Sequence, residues 1–474
     1  MSLKQKVFSS VKWVAIANIL RQVLTLISVV IFARILSPDD FGIYSILIIF
    51  VTFLTMFKDM GTTSVLIHIS KPSQLLLSSV FYLNLFIGFI FFLVLSVSSF
   101  FISIYFEIPE LEKMLQIISL SFIIGSFSIV HKALFQKNME FKYISIIETS
   151  SVFLGIFIGI SLAFYGIGVY SLIVQSLVTV FVDTFLMFLF SSWSPSREFS
   201  FTEIKKIWKY TANLSAFQFM NYFSTNADNF LIGKYLSSSA LGVYSLAYKI
   251  MLYPLQNISR TLMRVLFPAF STIKDDNQKF KKAYLRVIFF ISLVSFPLMA
   301  GLISTADLFV DVLFGDKWSG LAILLIILAP SGMLNSIYTT MGVLYTAKGN
   351  TDIQFKLGAI ESILTIMGFI IGLSYGVNGV AFAYLIVNTI MLYPILKISW
   401  SQIELSVREG ILVILPVFII SILMGCGIYL FDSIFLYSIE NQVIRLVYMI
   451  IIGVVLYLFM LKLKYKNLKR VFKF

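Results

Sequence analysis

The chain has 474 residues, 59% hydrophobic and 12% charged, with a mean hydropathy of +0.95 and a formal net charge of +13. Soluble domains are nearer half apolar and a quarter charged. The composition therefore excludes an ordinary soluble enzyme and a disordered scaffold, and it points to a polytopic helical membrane protein. One cysteine, Cys426, lies inside an apolar run, so no internal disulfide framework is possible. The two histidines, His68 and His131, read as residues at helix ends and form no Cys/His cluster for zinc or haem. The basic charge sits between hydrophobic segments, which makes membrane topology its cause rather than nucleic-acid binding.

At the N-terminus, Ala15-Ile16-Ala17 after Lys4, Lys6 and Lys12 imitates a signal-peptide cleavage site. The apolar region before it is too short and the hydrophobic run continues past it, so it reads as the start of the first spanning helix. A span needs about 20 apolar residues. Suitable runs fall at 11–33, 41–57, 75–105, 114–134, 143–165, 168–190, 208–235, 241–270, 284–305, 320–347, 357–375, 377–398, 411–431 and 443–463. The expectation is an all-α protein with 14 transmembrane helices. The seventh run is the least hydrophobic because amides crowd it.

Cytoplasmic loops carry an excess of Lys and Arg. With the N-terminus in the cytoplasm, that side collects Lys4 to Lys12, Lys58 and Lys71, Lys132 to Lys142, and Arg197 to Lys209. It also takes Lys274 to Arg286, Lys348 and Lys356, Lys397 and Arg408, and the tail from Lys462 to Lys473. The outer loops hold Arg34, Lys113, Lys234 and Lys317, together with acids such as Glu107, Glu110, Glu112, Asp307, Asp311, Asp316, Asp432 and Glu440. One helix more or fewer would scramble this alternation, so both termini are expected in the cytoplasm. The longest loops, 191–208 and 272–283, are basic and leave no room for an extramembrane catalytic domain. Residues 199–209 alternate Phe201, Ile204 and Trp208 with Lys205, Lys206 and Lys209, which predicts an amphipathic helix on the inner surface, placed where a linker belongs.

The two halves echo each other. Leu36-Ser37 leads to Gly42-Ile43-Tyr44-Ser45, and Leu236-Ser237 leads to Gly242-Val243-Tyr244-Ser245. Tyr165-Gly166-Ile167-Gly168-Val169 is matched by Tyr375-Gly376-Val377-Asn378-Gly379-Val380, and Phe141-Lys142 by Phe355-Lys356. Three echoes in the same order argue for duplication of a six-helix unit. An even number of helices gives both copies the same orientation, a transporter architecture with the path between the lobes. The expected division is an N-terminal lobe over 1–198, a C-terminal lobe over 199–400, and helices 13 and 14 with a basic tail over 401–474.

The Gly-x-Tyr-Ser signature, the Leu-Ser turn before it, the basic, amide-rich first helix and the loop Gln136-Lys137-Asn138-Met139-Glu140-Phe141-Lys142 resemble the polysaccharide transporters. These belong to the multidrug/oligosaccharidyl-lipid/polysaccharide exporter superfamily. Within it, the chain looks like the Wzx-type flippases of the colanic acid and teichuronic acid branch, and the resemblance covers the whole chain. It implies two six-helix bundles plus two helices, and outward flipping of a polyprenyl-diphosphate-linked oligosaccharide. It also implies a bacterial cytoplasmic membrane, and as partners the glycan lipid, the bilayer, and a polysaccharide polymerase and export machinery, with no nucleic acid.

Ionisable residues inside a membrane are expensive and usually face a cavity. The first span carries Asn18, Arg21, Gln22 and Thr25 at helical spacing, hence on one face. Offset by 200, Asn18 meets Gln218, Arg21 meets Asn221 and Thr25 meets Thr225, so the polar stripe is duplicated. The eighth run adds Lys249, Asn257, Arg260 and Arg264, with Tyr244, Tyr248 and Tyr253 nearby. Arg21, Lys249, Arg260 and Arg264 suit an anionic diphosphate, which guanidinium binds bidentately. Asn18, Gln22, Gln218, Asn221 and Tyr248 suit sugar hydroxyls. In the related lipid II flippases, arginines on the first and eighth helices line the cavity, and Arg21 and Arg260 resemble these by helix and depth. The alternatives are pairing of Arg21 with Asp228 or Asp183, and snorkelling of Arg264. Asp228, Asp183 and Glu361 are candidates to couple a proton or sodium ion, with no other cofactor expected, or to act as structural partners. Glu148 and Asp59, near the cytoplasmic ends, read as structural. Pro254, Pro268, Pro297 and Pro330 are candidate bends.

Two other readings compete. A multidrug-type antiporter should have an acidic, apolar site for organic cations, against the four cations here, and an assembly scaffold would need no site. A glycan polymerase or ligase would need a large outer loop, which is missing. No nucleotide-binding motif is present, so the chain is no self-contained ATP pump and no enzyme is expected. The topology has a direct check. Alkaline phosphatase fused after Phe474 should be inactive and green fluorescent protein at the same place fluorescent; the reverse would place the C-terminus outside.

Overall fold

The structure is a computed structural model that describes residues 3–57, 62–69, 71–205, 222, 226–254, 270, 272–437 and 439–472. Regular structure among them is helical throughout. Among the described residues, eleven helices are long and apolar enough to cross a membrane, or twelve when the pair Leu111–Ser126 and Ile129–Lys137, bent by 43°, is one span. These coincide with the first to sixth and ninth to fourteenth predicted runs. Most of the seventh run and the second half of the eighth lie outside the described residues. The chain divides into two compact units, Met1–Gly242 and Val243–Phe474.

The first unit contains α1 (Leu3–Ile35), α2 (Pro38–Thr55), α3 (Thr62–His68), α4 (Gln74–Phe106), α5 (Leu111–Ser126), α6 (Ile129–Lys137), α7 (Phe141–Phe164) and α8 (Tyr170–Phe190). It ends with a helix over 226–235 and the first turn of α9 (Ser238–Pro254). The repeated Leu-Ser turn has a plain physical job. Ser37 caps α2: its hydroxyl accepts from the Asp40 amide at 3.2 Å while the Asp40 carboxylate accepts from the Ser37 amide at 2.9 Å, a capping box followed by Pro38 in the first turn. Ser237 repeats the cap on α9, accepting from the Ala240 amide at 3.0 Å. The repeated glycine has one too. A Cβ on Gly42 would lie 1.7 Å from the Ser238 carbonyl oxygen, and one on Gly242 would lie 1.8 Å from that of Pro38. The first turns of α2 and α9 therefore touch backbone to backbone, related residue by related residue.

Small residues serve the same purpose between α7 and α8. A Cβ on Gly155 would meet the Thr179 hydroxyl at 2.0 Å, and one on Gly159 would meet Cβ of Gln175 at 2.7 Å. Lys137 on α6 donates to the carbonyls of Leu66, at 2.9 Å, and Ile69, which neutralises the end of α3.

Two local expectations change. Residues 193–200 are pinned to the start of α4: Trp193 Nε1 donates to Gln74 Oε1 at 2.7 Å, and the Ser196 and Ser200 amides donate to the hydroxyls of Ser78 and Ser79 at 2.9 and 2.8 Å. The predicted interfacial helix consequently begins only at Phe201 and is described to Lys205; its remainder lies outside the described residues. His131 stands in the first turn of α6, a helix end as expected, but it is not a loop-end residue in its surroundings. It is fully buried, its ring 4.1 Å from Phe188 and 5.1 Å from Trp193, and neither nitrogen has a hydrogen-bond partner among the described residues.

The second unit contains the rest of α9, then α10 (Asn277–Leu313), α11 (Leu321–Lys348), α12 (Thr351–Leu373), α13 (Gly376–Ser401), α14 (Val407–Phe431) and α15 (Gln442–Phe472). Pro297 and Pro330 lie inside α10 and α11. A polar chain ties the core together: Trp400 Nε1 donates to the Tyr284 hydroxyl at 3.2 Å, which lies 2.8 Å from Thr340 Oγ1. The last hairpin docks on α10 through the Tyr457 hydroxyl, which donates to the Leu293 carbonyl at 2.7 Å.

The backbone contact at the glycines is open to test. Gly42→Ala should cost about 1–3 kcal/mol or more through overpacking, read as a lowered melting temperature of the detergent-solubilised protein. Ile43→Ala, an ordinary large-to-small change beside it, supplies the comparison, and a neutral Gly42→Ala would refute the close approach.

Candidate functional site

The first unit brings a polar cluster together from three helices. Arg21 stands in the apolar stretch of α1, Lys132 on α6, and Glu148 in the second turn of α7. Glu148, one turn from both Ile144 and Ser151, shares the face of α7 that carries the buried Ile144, Ile147, Ser151 and Gly155. One Nη of Arg21 donates to Glu148 Oε2, and Lys132 Nζ donates to Glu148 Oε1 at 2.6 Å. The other Nη of Arg21 donates to Asn18 Oδ1 at 2.5 Å, one helical turn back. The side chains of Arg21 and Glu148 are 23% and 21% exposed and that of Lys132 is 37% exposed, so the group is neither sealed nor freely solvated. Lys142 lies over the Trp13 ring at 5.5 Å and holds the starts of α1 and α7 together.

Two cations share one carboxylate, so the cluster keeps one positive charge in excess. An unneutralised cation in a span is costly, and Glu148 offsets that cost for only one of its partners. The arrangement can accept a further anion beside Arg21 and Lys132, with Asn18 as an extra hydrogen-bonding group.

Glu148 is thus the partner of Arg21, in place of the alternatives Asp228 and Asp183. Asp228 is 3% exposed and accepts from the Asn229 amide at 2.8 Å, while Asp183 is half-buried on α8. Gln22 is half-buried on α1. Tyr222 donates its hydroxyl to the Ile49 carbonyl on α2. In the second unit Lys249 is exposed on α9, Tyr248 meets Tyr384 with hydroxyls 3.3 Å apart, and Glu361 is half-buried on α12. Gln218, Asn221, Arg260 and Arg264 lie outside the described residues. Sequence reasoning missed Lys132 and the role of Glu148, because both read as helix-end charges of the cytoplasmic side. A basic and an acidic residue 16 positions apart carry no local signature of contact.

Residues 31–323 match the family model described as "Polysaccharide biosynthesis protein". The chain is 29% identical over 436 residues to the lipopolysaccharide biosynthesis protein WzxC of Escherichia coli, covering 90% of this chain and 89% of the relative. It is 26% identical over 362 residues to the teichuronic acid biosynthesis protein TuaB of Bacillus subtilis, covering 75% of this chain and 74% of the relative. Among solved structures, the lipid II flippase MurJ in an inward closed conformation matches with a TM-score of 0.75 at 22% identity, over 96% of this chain and 99% of that one. At that identity the likeness is one of fold.

The sharing of Glu148 gives a double-mutant test. Lys132→Met and Glu148→Gln should each destabilise, and together they should cost less than their sum, with a coupling of about 0.5–3 kcal/mol. Melting of the purified protein measures it, and strict additivity would dissolve the cluster as a unit.

Proposed function

This chain belongs to the polysaccharide biosynthesis protein family, and on that premise we propose that it is a flippase for polyprenyl-diphosphate-linked oligosaccharides, carrying them from the inner to the outer leaflet for surface polysaccharide assembly. The observation that carries the reading is the cation-rich cluster of Arg21, Lys132 and Glu148 within apolar helices. The relatives' names, which speak of lipopolysaccharide and teichuronic acid biosynthesis, support the substrate class.

The cycle runs as alternating access between two lobes. The glycan and diphosphate enter from the cytoplasmic side while the prenyl tail stays in lipid. The diphosphate takes up the excess positive charge beside Arg21, with Lys249, Arg260 and Arg264 as further donors along the path and Asn18, Gln22, Gln218, Asn221 and Tyr248 as groups for sugar hydroxyls. The resting potential, negative inside, drives an anion outward by about 2.3 kcal/mol per charge per 100 mV. A doubly charged headgroup therefore gains roughly 4–5 kcal/mol over 100 mV if it crosses the whole field, enough to drive export without an ion. Where an ion is coupled, Asp228, Asp183 or Glu361 carries it. The protein works in the cytoplasmic membrane beside the polymerase and export machinery that consume its product. An organic cation, the cargo of a multidrug antiporter, would be repelled by the excess positive charge.

Flipping in proteoliposomes tests this. Wild-type protein should translocate a polyprenyl-diphosphate oligosaccharide faster under an imposed inside-negative potential, and Arg21→Ala should lose at least about tenfold in rate, equivalent to about 1.4 kcal/mol. Arg21→Lys should fall between the two, because an ammonium keeps the charge and loses the bidentate geometry. Failure of folded wild-type protein to move several such lipids would overturn the proposal.

A further inference from the structure

The second unit holds a polar constellation that diphosphate binding does not use. Tyr248 on α9 and Tyr384 on α13 meet at 64° with ring centroids 5.7 Å apart and hydroxyls 3.3 Å apart. Each is half-buried, and each is backed by a buried ring. Tyr244 stacks behind Tyr248 at 6.0 Å, and Phe369 stacks behind Tyr384 at 6.1 Å. Asn335 on α11 donates its amide to the Tyr384 hydroxyl at 3.1 Å. Close by, the Tyr338 hydroxyl donates to the Asn388 carbonyl at 2.7 Å.

Asn388 is the telling residue. It is 3% exposed and gives its amide N–H to the Tyr384 carbonyl at 2.8 Å, yet its side-chain oxygen has no hydrogen-bond partner among the described residues. A buried acceptor without a donor is costly, and such groups ask for an explanation. Simple helix packing would be served better by leucine and phenylalanine. Here two supported aromatic rings stand beside phenol hydroxyls, an amide and a free amide oxygen. Apolar walls with a few convergent polar groups are the chemistry of a small-ligand site. The free oxygen of Asn388 accepts and does not donate, which disfavours an anion.

A pyranose fits these features. One face of the ring is rich in C–H and lies on an aromatic surface, while its hydroxyls both donate and accept at the rim. We infer that Tyr248, Tyr384, Asn335 and Asn388 form a subsite for one uncharged hexopyranose ring of the transported glycan. The inference rests on the flippase reading above and adds one sugar contact, built within the second unit.

The experiment uses full-length protein in proteoliposomes and two probes, a polyprenyl diphosphate without sugar and the same lipid bearing a single hexose, prepared as both its glucosyl and galactosyl forms. Wild type should bind at least one hexosyl lipid more tightly than the bare diphosphate. Tyr384→Phe and Asn335→Leu, which nearly keep side-chain size, should reduce that preference about three- to tenfold while leaving affinity for the bare lipid unchanged. Thermal melting confirms folding, and Tyr248→Phe serves as a second variant should either fail to fold. Equal loss for both probes would assign these residues a structural role and overturn the subsite. Binding of all probes by wild type without preference would overturn it alone, whereas binding of none would overturn the flippase reading as well.

Discussion

Glu148, one carboxylate held between two cations from two other helices, is the interaction on which the first unit turns. Without it, Arg21 would sit unneutralised in a helix whose neighbours are Ile19, Leu20, Val23 and Leu24. With it, α1, α6 and α7 are joined at one point by hydrogen bonds from Arg21 and Lys132. The balance is incomplete by one charge, and that incompleteness distinguishes the cluster from a structural ion pair. A fully neutral pair would hold the helices equally well and would offer nothing to an anion. Structural and functional readings of Arg21 therefore do not exclude each other: the same guanidinium ties the helices and contributes to the excess charge.

The two like segments, Leu36-Ser37 to Ser45 and Leu236-Ser237 to Ser245, meet the same physical needs. Ser37 and Ser237 each satisfy an orphan amide at the start of a helix. Gly42 and Gly242 each leave room for the other helix's first turn, so neither glycine can gain a side chain without displacing backbone. Arg34 and Lys234 differ, and Lys234 donates to Glu107 at 2.9 Å and lies over the Tyr105 ring at 4.8 Å. The positions that serve helix capping and backbone approach carry the same residue type in both segments.

The final hairpin answers a smaller puzzle. Arg445 stands at the end of α15 that the charge pattern assigns to the outer side, where cations are few. Asp432 grips it with two hydrogen bonds of 2.6 Å each, and the Tyr437 ring lies 5.4 Å from its guanidinium. A bidentate pair with an aromatic face masks the charge. The residue is thus part of the turn between α14 and α15 and adds nothing to the topology signal.

Hydropathy is a local quantity summed along the chain, and it sufficed for the helical class and for the runs over α1, α2, α4–α8 and α10–α15, while short motifs pointed to the family. Hydrophobic length decides whether a helix enters a bilayer before any partner is met, so this part of the fold is legible without tertiary contacts. Leu36-Ser37 and Leu236-Ser237 were equally legible, because an N-cap acts within three residues. Arg21 stood out for the same reason, as an ionisable group in an apolar run. What the sequence alone left open was the choice of partner. Asp183, Asp228 and Glu148 are equivalent carboxylates along the chain, and only the packing of α1 on α7 brings Glu148 within reach of Arg21. His131 and Asn388 teach the same lesson, since burial belongs to the surroundings that other helices supply. Pairing and burial depend on distances between segments more than a hundred residues apart in the chain, and the tertiary structure is where those distances are decided.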